Sequence, residues 1–288
     1  MATTNRKQPP AKAPSRQAGR AAKGPALSVE MRDAVALLVL RRPEVHNAFD
    51  AGLIRDMTAA LRELDQAPEV RAVIILGEGP SFCAGADLAW MREMAGYDRA
   101  QNLADARGLA SLLQTLDTLS KPTIARVHGP AFGGGVGLVA CCDIAIASVE
   151  ATFSLSEARL GLIPATISPY VIEAIGARQA RRYFLSCERF SAAEAFRIGL
   201  VHDLAPPEEL DARINELLGS LLLAGPGAQA SAKALIRAVA GRPIDAGLID
   251  DTAKRIATAR ASAEAKEGVA AFLGKRSPAW TPSALRKP

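Results

Sequence analysis

The stretch Lys121-Pro122-Thr123-Ile124-Ala125-Arg126-Val127 is followed by His128-Gly129-Pro130-Ala131-Phe132-Gly133-Gly134-Gly135, then by an apolar run to Cys142 and by Asp143-Ile144-Ala145-Ile146-Ala147. Lys121-Pro122 opens a strand over 123–127, and the glycines make a loop. A short apolar helix runs to about Cys142, and Ile144 to Ala147 is strand-like. The same order recurs upstream. Asp33 to Leu40 reads as a buried strand stopped by Arg41-Arg42-Pro43. Asp50 is a helix N-cap, and Leu53, Ile54, Met57, Leu61 and Leu64 share one face of a helix ending before Pro68. Val70 to Leu76 is a second strand, followed by a Gly-rich loop from Gly77 to Gly85 and a helical stretch over about 101–119. Repetition of strand, loop and helix predicts an α/β core over 26–205, compatible with βαβ units and right-handed crossovers.

After Pro206-Pro207 the pattern changes. Residues 208–224, 226–240, 245–260 and 262–273 read as helices with no strand between them, which predicts a helical C-terminal module over 206–288. Its stripe Ile249, Ala253, Ile256 and Arg260 leaves an apolar face for a neighbour or another subunit to cover.

The chain has 288 residues, 49% hydrophobic and 23% charged. Those values fit a globular protein that needs no disulfide or metal staple. The net charge of +5 is unevenly placed. Residues 1–25 carry Arg6, Lys7, Lys12, Arg16, Arg20 and Lys23 and no acidic residue, so the remainder is close to neutral. A basic binding face belongs on the folded domain itself, so this distribution speaks against a nucleic-acid-binding body. The Pro-, Ala- and Lys/Arg-rich tail is expected to be disordered. It has no apolar core of a secretory signal; a flexible arm and a transit peptide both remain open. The longest apolar stretch, Ala131 to Ala147, is interrupted by three glycines and Asp143, so no membrane span is expected. Cys83, Cys141, Cys142 and Cys187 show no C-x-x-C or metal spacing, which points to reduced, buried thiols and a cytoplasmic protein.

Two loops carry chemical potential, Gly77 to Asp87 and His128 to Gly135, each between a strand and a helix. Glycine lets backbone N–H groups approach a ligand, and the following helix N-terminus adds positive potential. If the loops meet, two N–H donors can share one oxygen, an oxyanion hole. Each loop alone could equally be a tight structural turn. Gly133-x-Gly135-x-Gly137 has the wrong spacing for a dinucleotide fingerprint, and no P-loop or G-x-S-x-G occurs. His46, His128 and His202 have no nucleophile at a recognisable spacing. Glu157 lies among Leu155, Leu160, Leu162 and Ile163, where burial would raise its pKa toward the range useful for proton transfer. A hydrogen-bonded glutamate starting a helix is the alternative.

Together, Arg42-Pro43-Glu44-Val45-His46-Asn47-Ala48-Phe49, Ser81 to Leu88, Lys121 to Ile144, Phe153 to Pro164 and Phe190 to Val201 resemble the enoyl-CoA hydratase/isomerase (crotonase) family over about residues 28–280. The resemblance implies a crotonase-like spiral of repeated ββα units with a helical C-terminal oligomerisation module. It implies that the amides of Ala86 and Gly134 hold an acyl-CoA thioester carbonyl and that Glu157 is catalytic. It also places Ala84, Asp87 and Leu88 against the CoA moiety and gives Lys275 to a neighbour's CoA phosphate. Homotrimers or hexamers (dimers of trimers) are implied. No metal or redox cofactor is, coenzyme A being part of the substrate.

The first of the family's two hydratase glutamates would fall at 137, where this chain has Gly137. Two chemistries survive with one carboxylate: hydration of a 2-enoyl-CoA and Δ3-Δ2 isomerisation. The segments Gly133 to Leu138, Ala165 to Tyr170 and Ala180 to Leu185 resemble bacterial methylglutaconyl-CoA and carboxygeranoyl-CoA hydratases. They favour hydration of a branched substrate such as 3-methylglutaconyl-CoA, from leucine degradation, with Gly137 leaving space for it. Arg126 and Arg159 are candidate partners for a distal carboxylate. A noncatalytic acyl-CoA or RNA-binding member is a further alternative.

Overall fold

The computed structural model describes residues 24–286, so the expected basic tail lies outside the described residues apart from Gly24 and Pro25. Where one strand was expected from Asp33, the chain makes a hairpin. β1 (Leu27–Arg32) runs antiparallel to β2 (Val35–Leu40), and Asp33 turns the chain between them in the left-handed region at φ 50°. Helix α1 (Ala51–Gln66) begins where the cap was read: Asp50 Oδ1 accepts from the Leu53 N–H at 2.8 Å. The first half then continues through β3 (Ala72–Gly77), α2 (Leu88–Met94), α3 (Arg99–Asp117) and β4 (Thr123–Val127). Next come β5 (Ala131–Phe132), α4 (Gly134–Cys141), β6 (Ile144–Ser148), β7 (Thr152–Ser154), α5 (Ser168–Ser186), β8 (Phe190–Ser191), α6 (Ala192–Arg197) and β9 (Asp203–Ala205). Four helices follow without a strand: α7 (Leu210–Leu223), α8 (Pro226–Val239), α9 (Ala246–Ala261) and α10 (Ala263–Leu273).

The strands sort into two sheets. The larger has the order β1-β2-β3-β4-β6-β9 and is parallel beyond the first hairpin; the smaller is β5-β7-β8. Two turns of the chain give one strand to the large sheet, a short one to the small sheet, and then a helix: β4-β5-α4 and β6-β7-α5. This mixed α/β spiral is the fold that the motifs predicted.

β2 is buried on both faces, which explains its unbroken apolar run. Val35, Leu37 and Val39 pack with Ile74, Ile124 and Ile146 under Leu210, Ile214 and Leu218 of α7. Ala36, Leu38 and Leu40 face the main core with Met57, Leu61, Leu112 and Leu116 of α1 and α3. Side-chain period two on the strand thus feeds two cores at once.

α8 is fixed to the N-terminal ends of β4 and β6 by one nearly buried cation. Lys233 Nζ donates to Asp143 Oδ2 at 2.6 Å and to the Lys121 carbonyl at 3.0 Å, while the same carboxylate oxygen accepts from the Thr123 N–H and hydroxyl. Removing the carboxylate would strand the ammonium in a place poor in water. Asp143→Ala should therefore lower stability by about 3 kcal/mol or more, and Lys233→Met by less, as measured by denaturant unfolding of both variants.

Candidate active site

β3 and β4 are parallel neighbours, with Ile75 opposite Ala125, so the loops that leave their C-terminal ends emerge side by side. Ligands bind outside the carboxyl ends of strands in sheets of this kind. The two glycine loops meet there. The Phe132 N–H donates to the Cys83 carbonyl at 2.9 Å, and Cys83 forms a parallel bridge with Ala131. Gly85, at φ 87°, comes so close that a Cβ on it would lie 2.9 Å from the Phe132 carbonyl oxygen and 3.5 Å from the Gly134 nitrogen. No side chain fits between the two loops.

The amide directions follow from neighbouring bonds. The Phe49 N–H donates to the Gly85 carbonyl at 2.6 Å, and the Asp87 N–H donates to the Phe49 carbonyl at 2.8 Å. Residues 85 and 87 thus turn their polar groups toward Phe49, and Ala86 between them turns its N–H the other way. Neither the Ala86 nor the Gly134 amide has an acceptor among the described backbone hydrogen bonds. Gly134 is the first residue of α4, where the amide is free by position and the helix dipole is positive.

Glu157 arrives from the small sheet. The Gly133 N–H donates to the Ser154 carbonyl at 2.9 Å, and three residues further on the chain enters a 3₁₀ turn at Glu157. A Cβ on Gly133 would lie 3.2 Å from Glu157 Oε1 and 4.0 Å from the Gly85 Cα, so carboxylate and both loops converge on one point. Glu157 Oε2 is buried without a hydrogen-bond partner, and no cation pairs with the group among the described residues. Burial pushes its pKa above the ordinary glutamate value, opposed only by its own backbone amide. The source of that burial differs from the sequence reading. Leu155 is buried, but Leu160, Leu162 and Ile163 are 59%, 53% and 76% exposed and form an apolar lip.

The other candidate residues are placed as follows. Ala84 is half-buried and donates its N–H to the His46 carbonyl at 2.9 Å. Leu88 opens α2 and is exposed beside the loop. The Asp87 side chain is spent inside the protein: Oδ1 caps α2 through the Ala89 N–H at 2.7 Å, and Oδ2 accepts from Arg42 at 2.8 Å. Lys275 is exposed in a segment anchored at the far end of the sheet, where Arg71 donates to the Trp280 carbonyl. Within one chain it is not brought to Glu157. Arg126 is committed to Asp211 on α7 at 2.5 Å, whereas Arg159 is exposed and makes no ion pair among the described residues. A cleft of about 740 Å³ between α1 and α3, lined by Arg55, Arg62 and Asp105 among others, contains none of the site residues.

Gly137 does not leave the space expected for a bulkier substrate. It lies one helical turn below Gly133, and a Cβ there would overlap Ile167 Cγ2, lie 3.0 Å from Ile167 Cβ and touch Leu113 at 3.6 Å. Both neighbours are fully buried, so the volume is already filled by hydrocarbon. The four cysteines are free and buried, and burial raises the Cys83 thiol to about 12, away from nucleophilic use. Among the described residues no group of three or more His, Cys, Asp or Glu could hold a metal, and no helix is long and apolar enough to cross a membrane.

Comparison with known proteins fits this geometry. Residues 30–283 match the family model for enoyl-CoA hydratase/isomerase. The chain is 45% identical to an enoyl-CoA hydratase of Shewanella pealeana, with a TM-score of 0.86 over 88% of this chain and 96% of that one. It is 35% identical to an enoyl-CoA hydratase/isomerase of Marinobacter aquaeolei, with a TM-score of 0.84 over 89% and 99%. A crotonyl-CoA hydratase of Syntrophomonas wolfei is 32% identical over 250 residues, 86% of this chain and 95% of that protein. The chain belongs to the enoyl-CoA hydratase/isomerase family and is an enzyme of the enoyl-CoA hydratase kind.

The filled volume at 137 gives a testable coupling. Gly137→Ala should cost about 1–3 kcal/mol by overpacking, and Ile167→Ala about 2–5 kcal/mol by cavity formation. The double variant should cost less than the two together, with a coupling of about 0.5–3 kcal/mol read from denaturant unfolding.

Proposed function

We propose that the enzyme adds water across the double bond of a 2-enoyl-CoA with Glu157 as its single acid–base group. The observation that carries this reading is the buried, unpartnered Glu157 oxygen beside two touching glycine loops, each bearing one unclaimed amide. The thioester oxygen would accept from the Ala86 and Gly134 N–H groups. Glu157 takes a proton from water as the water oxygen bonds to Cβ, and the π electrons move onto the thioester oxygen as an enolate. The amides hold that charge, each worth about 2.7–4 kcal/mol to the transition state. The enolate then collapses, and Glu157 returns its proton to Cα on the same face. One carboxylate is regenerated, so hydration needs neither metal nor redox cofactor.

The finer assignments rest on the sequence. The likeness to methylglutaconyl-CoA hydratases supports a branched substrate such as 3-methylglutaconyl-CoA and a place in leucine breakdown. With Arg126 paired to Asp211, Arg159 is the one of these two candidates left free to meet a distal carboxylate. The backbone of Ala84, Asp87 and Leu88 would border the CoA moiety, and Lys275 would serve a neighbouring chain. A trimer or dimer of trimers is supported by Ile249, Ile256, Val269 and Phe272, all at least half exposed on α9 and α10. A cytoplasmic location agrees with four reduced thiols.

Isomerisation of a 3-enoyl-CoA is the second reading, favoured by one observation. Ile167 and Leu113 occupy the place where a second water-holding group would sit. A panel of 2-enoyl, 3-enoyl and 3-methylglutaconyl esters separates the two; double-bond migration without hydration would decide for the isomerase.

Glu157→Gln should keep thioester binding and lose at least about a hundredfold in turnover. Unchanged turnover would remove Glu157 from the mechanism. Because the base acts ionised, kcat/KM of the native enzyme should fall with acid on a limb above the ordinary glutamate range. A raised folded-state pKa also means that the ionised carboxylate destabilises the fold once pH exceeds the unfolded value. Glu157→Gln should therefore raise the thermal midpoint at neutral pH, and the gain should fade as pH drops from the raised folded-state value toward the ordinary glutamate value.

A further inference from the structure

The motif Arg42 to Phe49 was conspicuous in the sequence, yet none of its side chains takes part in the proposed chemistry. Its contacts show what it does. Asn47 is fully buried at φ 55°, a region that Asn tolerates better than most residues. Its Oδ1 accepts from the Arg42 N–H at 2.9 Å, and its Nδ2 donates to the Glu78 and Ser81 carbonyls, both at 2.8 Å. One side-chain amide thus ties the start of the first glycine loop to the motif. Arg42 ties the loop's other end: it donates to Asp87 at 2.8 Å, to the Ala48 carbonyl at 2.6 Å and to Asp50 at 2.9 Å.

Phe49 stands between these anchors and touches both amide-bearing segments. Its backbone grips Gly85 and Asp87, the bonds that turn the Ala86 N–H outward. Its buried ring lies against Gly134, where an added Cβ would be 2.8 Å from Phe49 Cε2 and 3.0 Å from Cδ2. A single residue therefore fixes the direction of one amide and the approach of the other. Electrostatic stabilisation by backbone donors depends on their being aimed before the reaction, so a small rotation costs rate rather than binding.

We infer that Asn47 and Phe49 are positioning residues: through the Arg42–Asp87 frame they set the mutual aim of the Ala86 and Gly134 amides on the substrate carbonyl. The inference rests on the reading of those amides as the carbonyl-binding pair.

The test uses two variants of the full chain, Asn47→Gly, which accepts the positive φ but makes no side-chain bonds, and Phe49→Leu, which keeps the backbone grip but loses the ring. Each is measured for kcat and KM with a 2-enoyl-CoA, for thermal midpoint, and for the infrared carbonyl stretch of a bound saturated acyl-CoA. The expected result is a fall in kcat of about tenfold or more, with KM changed less than about threefold. The bound carbonyl stretch should move back from its lowered frequency toward the value in water. A variant that loses only thermal stability, or loses kcat with the stretch unmoved, overturns the inference. If Asn47→Gly does not fold, Phe49→Leu decides by the same criteria. Failure of the underlying reading looks different: the native enzyme itself would then show no lowered stretch.

Discussion

The site depends on backbone approaching backbone where side chains are missing. Gly85 passes against Phe132 and Gly134, and a Cβ on Gly135 would overlap the Cys83 carbonyl oxygen. These contacts let loops from neighbouring parallel strands interlock at one end of the large sheet. They leave two N–H groups without acceptors in the fold. Any larger residue at these positions would push the loops apart and return the amides to solvent or to another partner. Strand order, loop exit and helix start all feed this one close approach.

Charge is arranged around it with a marked asymmetry. Arg42 is neutralised by Asp50 and Asp87, Lys233 by Asp143, and Arg126 by Asp211. Glu157 alone among the site's charged groups is half-buried with an oxygen that nothing satisfies. An unpaired carboxylate in such a place costs stability, and the fold tolerates it because the packing around it is set by other contacts. The hydrocarbon floor made by Ile167 and Leu113 contributes to this. It fills the space beside α4 at Gly137.

Much of the fold was legible because its signals are local. The Asp50 cap, the face of α1, the strand after Lys121-Pro122 and the C-terminal helices each follow from neighbours within a few residues. β5 and β8 were not legible: with two residues each they carry no period, and they are strands only because β7 lies between them. β1 escaped for a different reason. Val29 and Met31 alternate as a strand should, but they remain exposed at the sheet edge, and the turn at Asp33 was merged into the following run.

The same division holds at the site. The sequence alone determined the two glycine loops, the short helix behind the second and an isolated glutamate, since these are fixed by residue type and order, whereas α2 behind the first loop was not read. Only the tertiary structure decided that Asp87 turns inward to Arg42, that the segment after Lys275 is tied to Arg71 through the Trp280 carbonyl, and that the room beside Gly137 is taken by Ile167. These outcomes are contacts between residues distant in the chain. Their geometry is set by how strands pair and helices pack, which no local preference encodes.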